Sequence, residues 1–268
     1  MNSTIVSSKW LSDNFDNPDL IVLDASQPSG KSRSNMLQII GARPFDIKGT
    51  FSDKSSSFPN TFPSKEQFEE GCQELGINSS SKIVVYDSLG IYTSPRAWLM
   101  FKAMGHENIA VLDGGFPEWI ANGFETTETI VEKKYSTGNF KATFQPEMIR
   151  SIDFVKENLS KKESLVIDAR SADRFNSLVP EPRADLRSGN IPNSINIPFQ
   201  NTIENGKFKS VKKLRRLFKE NNSENKSLVF SCGSGITACI VLLATELVFE
   251  GNKAIYDGSW TEWAQLEN

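Results

Sequence analysis

One histidine in 268 residues leaves this chain almost without the side chain most often used as a general base near neutral pH. That residue, His106, precedes the apolar run "IAVLD", so it is expected at the amino end of a strand, away from the edge where α/β sheets gather ligands. A Cys–His or Ser–His dyad is therefore disfavoured. Three cysteines, at 72, 232 and 239, are too few and too scattered for a disulfide framework. A basic surplus is also missing: 30 Lys and Arg against 33 Asp and Glu give a net charge of -3, which argues against a nucleic-acid binder. The longest apolar run, "ACIVLLATELVF", is interrupted by Thr and Glu and is too short to span a bilayer. The opening residues "MNSTIVSSKWLSDNFDN" have neither the basic nor the apolar region of a secretory leader, so the expectation is a cytoplasmic protein that binds no membrane.

What the chain does contain is a long-range repeat. "PDLIVLDAS" is answered by "ESLVIDARS", and each follows an amphipathic stretch, "SKWLSDNF" and "IDFVKENL". "SKIVVYDSLGIYTSPRAWLMFKAMGHENIAVLDGGFPEW" is answered by "KSLVFSCGSGITACIVLLATELVFEGNKAIYDGSWTEW". Asp24 to Asp168 and Asp113 to Asp257 are both 144 residues, with a drift of one around the central loop. Two homologous domains are expected, over residues 1–124 and 149–268. The Thr-, Glu- and Lys-rich stretch 125–148 between them reads as a linker. Each copy alternates β-branched runs with helix-period segments, which predicts an α/β fold, a mainly parallel sheet covered by helices on both faces. In the second copy the predicted strands are 164–169, 194–197, 227–231 and 253–256, and the helices include 211–220 and 236–249. Helix 211–220 carries Val211, Leu214, Leu217 and Phe218 on one face and reads as a surface helix.

Cys232 follows the strand "SLVFS" and precedes a helix, so it falls at the carboxyl edge of the sheet. Gly233 and Gly235 let the backbone curl so that successive N–H groups form an anion nest, and the helix beyond adds the positive end of its dipole. Such a loop stabilises the cysteine's own thiolate. Several alternatives fail on single residues. A cysteine phosphatase loop needs an arginine where Ala238 stands, and a nucleotide P-loop needs a lysine after its glycines. A metal site needs convergent soft ligands, whereas Cys239 lies two helical turns on and reads as core, as does Cys72 in "KEQFEEGCQELGI". The motif Gly-x-Ser-x-Gly is absent because Ser234 is flanked directly by glycines. A nucleophile that needs no general base suits sulfur chemistry better than amide hydrolysis.

These residues resemble the 3-mercaptopyruvate and thiosulfate sulfurtransferases, a family of tandem rhodanese-like domains. The likeness is carried by "VIDARSADRF", "VPEPRADLRSGNIPNSINIPF", "CGSGITA" and "YDGSWTEW" in the second half, and by "VLDAS", "VVYD" and "VLDGGFPEW" in the first. It implies a ping-pong transfer through a persulfide on Cys232, with no cofactor and no metal. Sulfur would pass from 3-mercaptopyruvate to a thiol acceptor such as thioredoxin, or to cyanide. The loop Gly233, Ser234, Gly235, Ile236, Thr237 has no cation for a dianion, which favours mercaptopyruvate over thiosulfate. A non-catalytic persulfide carrier or interaction module is the reading from another class. By the same resemblance Arg174 and Arg183 clamp the donor's carboxylate, and Ser234 relays a proton, while Thr237 hydrogen-bonds within the loop. Arg170 and Arg187 carry no such implication and read as structural. The chain departs from the family where an Asp and a His are usual, offering Lys48 and Asn60, and again at Asn190 in place of a His. In the first copy Asp87 stands where the second has Cys232, so the first domain is expected to be catalytically silent.

Overall fold

Runs of β-branched residues become two sets of parallel strands in the computed structural model, which describes residues 3–27, 36–128, 134–221 and 226–267. The chain divides into two units: Met1–Asp53 with Phe62–Gln145, and Lys54–Thr61 with Pro146–Asn268. In the first unit the strands lie in the order Ile5–Val6, Ile109–Leu112, Lys82–Tyr86, Leu20–Asp24 and Arg43–Pro44, each parallel to its neighbour. In the second unit the order is Ile149–Arg150, Lys253–Tyr256, Ser227–Ser231, Ser164–Asp168 and Ile195–Asn196, again all parallel. Every strand of one sheet has its sequence counterpart in the same place in the other, so the repeat is structural as well as textual.

The helices are α1 (Ser8–Asp13), α2 (Lys65–Glu74), α3 (Ser94–Ala103) and α4 (Gly115–Ala121) in the first unit. The second has α5 (Ile152–Lys161), α6 (Ala172–Phe175), α7 (Val211–Glu220), α8 (Ala238–Glu246) and α9 (Ser259–Leu266). The central strands are buried residue after residue: Ile83, Val84 and Val85 in one sheet, Leu228, Val229, Phe230 and Ser231 in the other. Consecutive side chains point to opposite faces, so unbroken burial means that both faces are covered.

Several boundaries moved for physical reasons. Helix α8 starts at Ala238 rather than 236, because Gly235 adopts a left-handed φ of 80° and breaks helical geometry. On α7, Leu214 and Phe218 are buried as expected, but Val211 in the first turn is exposed. The stretch read as a linker has described residues that bond to the first unit. Thr126–Glu128 pairs antiparallel with Leu37–Ile39, and the N–H groups of Gly138, Phe140 and Thr143 donate to the carbonyls of Gln73, Ile77 and Met104. Residues 129–133 of that stretch lie outside the described residues.

His106 is buried against the rings of Phe101 and Phe140, with centroids 5.7 and 5.6 Å away. Burial lowers its pKa from the ordinary imidazole value. The folded state therefore refuses a proton that the unfolded chain accepts near pH 6.5. Stability should be fully present above that pH and fall as pH drops through it, no more steeply than about 1.4 kcal/mol per unit for one proton. Urea midpoints between pH 7.5 and 5.5 should fall less for His106→Gln than for the unaltered protein.

Candidate active site

Cys232 is the first residue beyond the strand Ser227–Ser231 and is 2% exposed. The start of α9 holds it. The Cys232 N–H donates to Ser259 Oγ (3.2 Å), and Ser259 Oγ donates to the Tyr256 carbonyl (2.9 Å). The Cys232 carbonyl accepts from the Trp260 N–H at 2.9 Å, and the Gly233 carbonyl accepts from the Thr261 N–H at 3.0 Å and Thr261 Oγ1 at 2.5 Å. In a trans peptide the carbonyl and the following N–H point to opposite edges. Tying the carbonyls of 232 and 233 to α9 therefore turns the N–H groups of Gly233 and Ser234 the other way. Thr237 is the N-cap residue of α8, and its hydroxyl makes no capping bond.

The first unit has the same construction with a different occupant. The carbonyl of Asp87 accepts from the Phe116 N–H at 3.0 Å, as that of Cys232 does from Trp260. Asp87 Oδ2 accepts from the N–H groups of Tyr92 (2.8 Å), Thr93 (2.9 Å) and Ser94 (2.9 Å) and from the Ser94 hydroxyl (2.7 Å). Oδ1 accepts from the Leu89 N–H at 2.9 Å. A carboxylate thus fills the nest at the start of α3, whereas a thiol stands at the corresponding place before α8.

Around Cys232 the second unit gathers the other residues singled out in the sequence. Arg174, on α6, lies against Gly233: a Cβ at 233 would sit 3.1 Å from its Nη2, so glycine there is a matter of clearance. Arg183 donates from Nη1 to Thr261 Oγ1 (3.0 Å), the same hydroxyl that donates to the Gly233 carbonyl. Ser234 is half-buried, and its carbonyl and Oγ accept from Asn60 Nδ2 at 3.0 and 3.1 Å. With the amide donating into Oγ, the serine proton is free to be given elsewhere. Ile236 is buried and Gly235 takes the left-handed turn, its carbonyl accepting from the Cys239 thiol at 3.1 Å.

Three residues that the sequence had singled out as departures separate here. Asn60 reaches Ser234, held by a left-handed backbone with φ of 60°. Lys48 is an exposed residue of the first unit, and Asn190 donates to the Phe175 carbonyl rather than to the loop. Arg170 is fully buried on Asp168 and Glu181, and Arg187 donates to the Glu267 carbonyl. Cys72 is buried, which pushes its thiol pKa well up and makes it inert.

Ser259, Thr261 and Glu181 were missed as contacts of the site. The first two lie in "GSWTEW", whose repetition in the first copy as "GGFPEW" marks the segment without saying what it holds. Glu181 lies between two prolines and two arginines, where an acidic residue is unexpected unless it pairs with them.

A family model, the rhodanese-like domain, matches residues 7–122 and 151–266. The 3-mercaptopyruvate sulfurtransferase of Escherichia coli strain K12 is 36% identical, covering 96% of this chain and 94% of its own. The thiosulfate sulfurtransferase of Rattus norvegicus is also 36% identical, over 97% of this chain and 91% of its own. The crystal structure of SseA from Escherichia coli superposes with a TM-score of 0.86 at 33% identity, covering 97% of this chain and 99% of that one.

Asp87 fills its nest by covalent attachment, so Asp87→Ala should leave several buried N–H groups and the start of α3 unsatisfied. The expected loss is about 2–3 kcal/mol of unfolding free energy. Asp87→Asn, which keeps one carbonyl oxygen, should lose less. Urea denaturation of the three proteins checks the order.

Proposed function

Because the chain belongs to the rhodanese-like sulfurtransferases, we propose that it moves the sulfur of 3-mercaptopyruvate to a thiol acceptor through a persulfide on Cys232. The observation that carries this reading is the place of Cys232, before α8 at the position from which Asp87 caps the start of α3 in the first copy. Where the first copy holds a fixed anion, the second has a side chain able to become one. The Cys232 thiolate attacks the donor's sulfur. An S–S bond forms, the C–S bond breaks, and its electron pair leaves on pyruvate enolate. Ser234, whose oxygen already accepts from Asn60, gives its proton to the departing group and takes the one lost from the donor's thiol. The N–H groups of residues 233–237 and the start of α8 stabilise the outer sulfur of the persulfide. A second thiol, such as that of thioredoxin, or cyanide then takes that sulfur and returns Cys232 as a thiolate.

The donor's carboxylate falls to Arg174, which lies against Gly233, and Arg183, which bonds the Thr261 hydroxyl that holds the Gly233 carbonyl; both offer charged donors in a fixed plane. No cation stands within the loop itself, and that favours a singly charged donor. Thiosulfate is the second reading, because relatives named for either donor are equally similar to this chain. In this proposal the first domain, residues 1–124, is catalytically silent and the domain over 149–268 carries the chemistry. Among the described residues no helix is long and apolar enough to cross a membrane. The proposed setting is the cytoplasm, where acceptor thiols are kept reduced.

Each donor mixed with cyanide, with thiocyanate and pyruvate followed, tests the reading. Mercaptopyruvate should turn over with the higher kcat/KM, and a higher value for thiosulfate would reverse the donor assignment. A persulfide on Cys232 without turnover of either donor would point instead to a sulfur carrier. Cys232→Ser should abolish transfer. Arg183→Ala should raise KM for mercaptopyruvate by about tenfold or more, the effect of losing one charge-assisted hydrogen bond. Unchanged donor kinetics in that variant would remove Arg183 from the clamp.

A further inference from the structure

Glu181 takes no part in the transfer as derived above, yet its buried carboxylate faces two guanidiniums. Oε1 accepts from Arg170 Nη1 at 2.8 Å and Arg174 Nε at 3.2 Å, and Oε2 accepts from Arg174 Nη2 at 2.5 Å. Arg170 is also held by Asp168, with Nη2 to Oδ2 at 2.7 Å. Asp168, Arg170, Glu181 and Arg174 thus form a chain of alternating sign that sums to zero. Arg174 is gripped side-on, through Nε and one terminal nitrogen. Its other edge keeps donors for a second acceptor. Both terminal nitrogens lie at the cysteine loop, Nη2, shared with Glu181, 3.1 Å and Nη1 4.0 Å from the place of a Cβ on Gly233. Arg183, by contrast, bonds to an uncharged hydroxyl and not to a carboxylate.

We propose that Glu181 is the positioning residue that sets the charge of the accepted donor. It aims the free edge of Arg174 at the loop and cancels one of the two positive charges there. Asp168, Arg170, Glu181, Arg174 and Arg183 together carry a single net positive charge, matched to one carboxylate. A dianion would leave one of its charges unmatched in a partly desolvated place. By Coulomb's law with an effective dielectric constant of about 20, a unit charge anywhere within about 10 Å is worth about tenfold or more in the ratio between the two donor classes. The inference rests on the sulfur-transfer reading and deepens it.

Glu181→Gln keeps the side chain's shape and one acceptor oxygen but removes its charge. With cyanide as acceptor, the kcat/KM ratio of thiosulfate to mercaptopyruvate should rise about tenfold or more over that of the unaltered protein. For mercaptopyruvate the change should lie in KM more than in kcat. Glu181→Asp keeps the charge and spoils the aim, so both donors should slow while their ratio stays near the original. If Glu181→Gln slows both donors by one common factor, Glu181 is only structural and the proposal falls. Should that variant fail to fold, inhibition of the unaltered protein reads the same balance. Propionate should compete with mercaptopyruvate more strongly than malonate, and the reverse order overturns the idea. Failure of the transfer reading itself looks different: the unaltered protein would form no thiocyanate from either donor.

Discussion

The guanidinium of Arg170, shut off from solvent, is the joint on which the second unit's functional parts hang. It bonds to Asp168 at the end of a central strand, to Glu181 and to the Gly189 carbonyl, and lies 4.5 Å from the centre of the Trp260 ring. Through Glu181 it reaches Arg174, and through Trp260 it reaches the carbonyl of Cys232. Burying a charge costs several kcal/mol unless partners surround it, and here every member has them. Such a set is stable only when complete. The segment 170–189 therefore cannot slide relative to α9 or the cysteine loop without exposing an unpaired buried ion.

The loop at Cys232 gains its chemistry from where its carbonyls are fixed. Backbone donors of α9 and the Thr261 hydroxyl hold the oxygens of residues 232 and 233, and the amide hydrogens are thereby committed to the other side. The sequence YDGSWTEW is in this sense part of the active loop, though it lies more than twenty residues downstream. An anion held by backbone amides needs no charged side chain near it. That is compatible with a loop containing only Gly, Ser, Ile and Thr after the cysteine.

Local pattern made the strands 227–231 and 253–256 and the helix 211–220 legible to the residue, because burial periodicity and caps are short-range properties. The repeat made it legible that both halves share one plan, while the order of the strands came from the structure. The start of α8 was less so, since whether a glycine turns left-handed depends on what its carbonyl must meet, here the thiol of Cys239. Glu181 was the hardest to read, and Asn60 was named only through the family resemblance. Asn60 lies 174 positions from Ser234, and Glu181 meets Arg174 only where the buried Arg170, after the same strand, also holds it. Residue types at a spacing indicate which groups can react, but not which neighbours aim them.

Asp87 and a cysteine persulfide have the same reach, two bonds from Cβ to the terminal atom. A soluble anion seeking the nest of the first unit would meet a competitor whose effective concentration is set by covalent attachment, not by diffusion. The first copy thus behaves as a receptor permanently saturated by its own chain. Its ligand cannot be washed out, so the cup serves as a structural rivet.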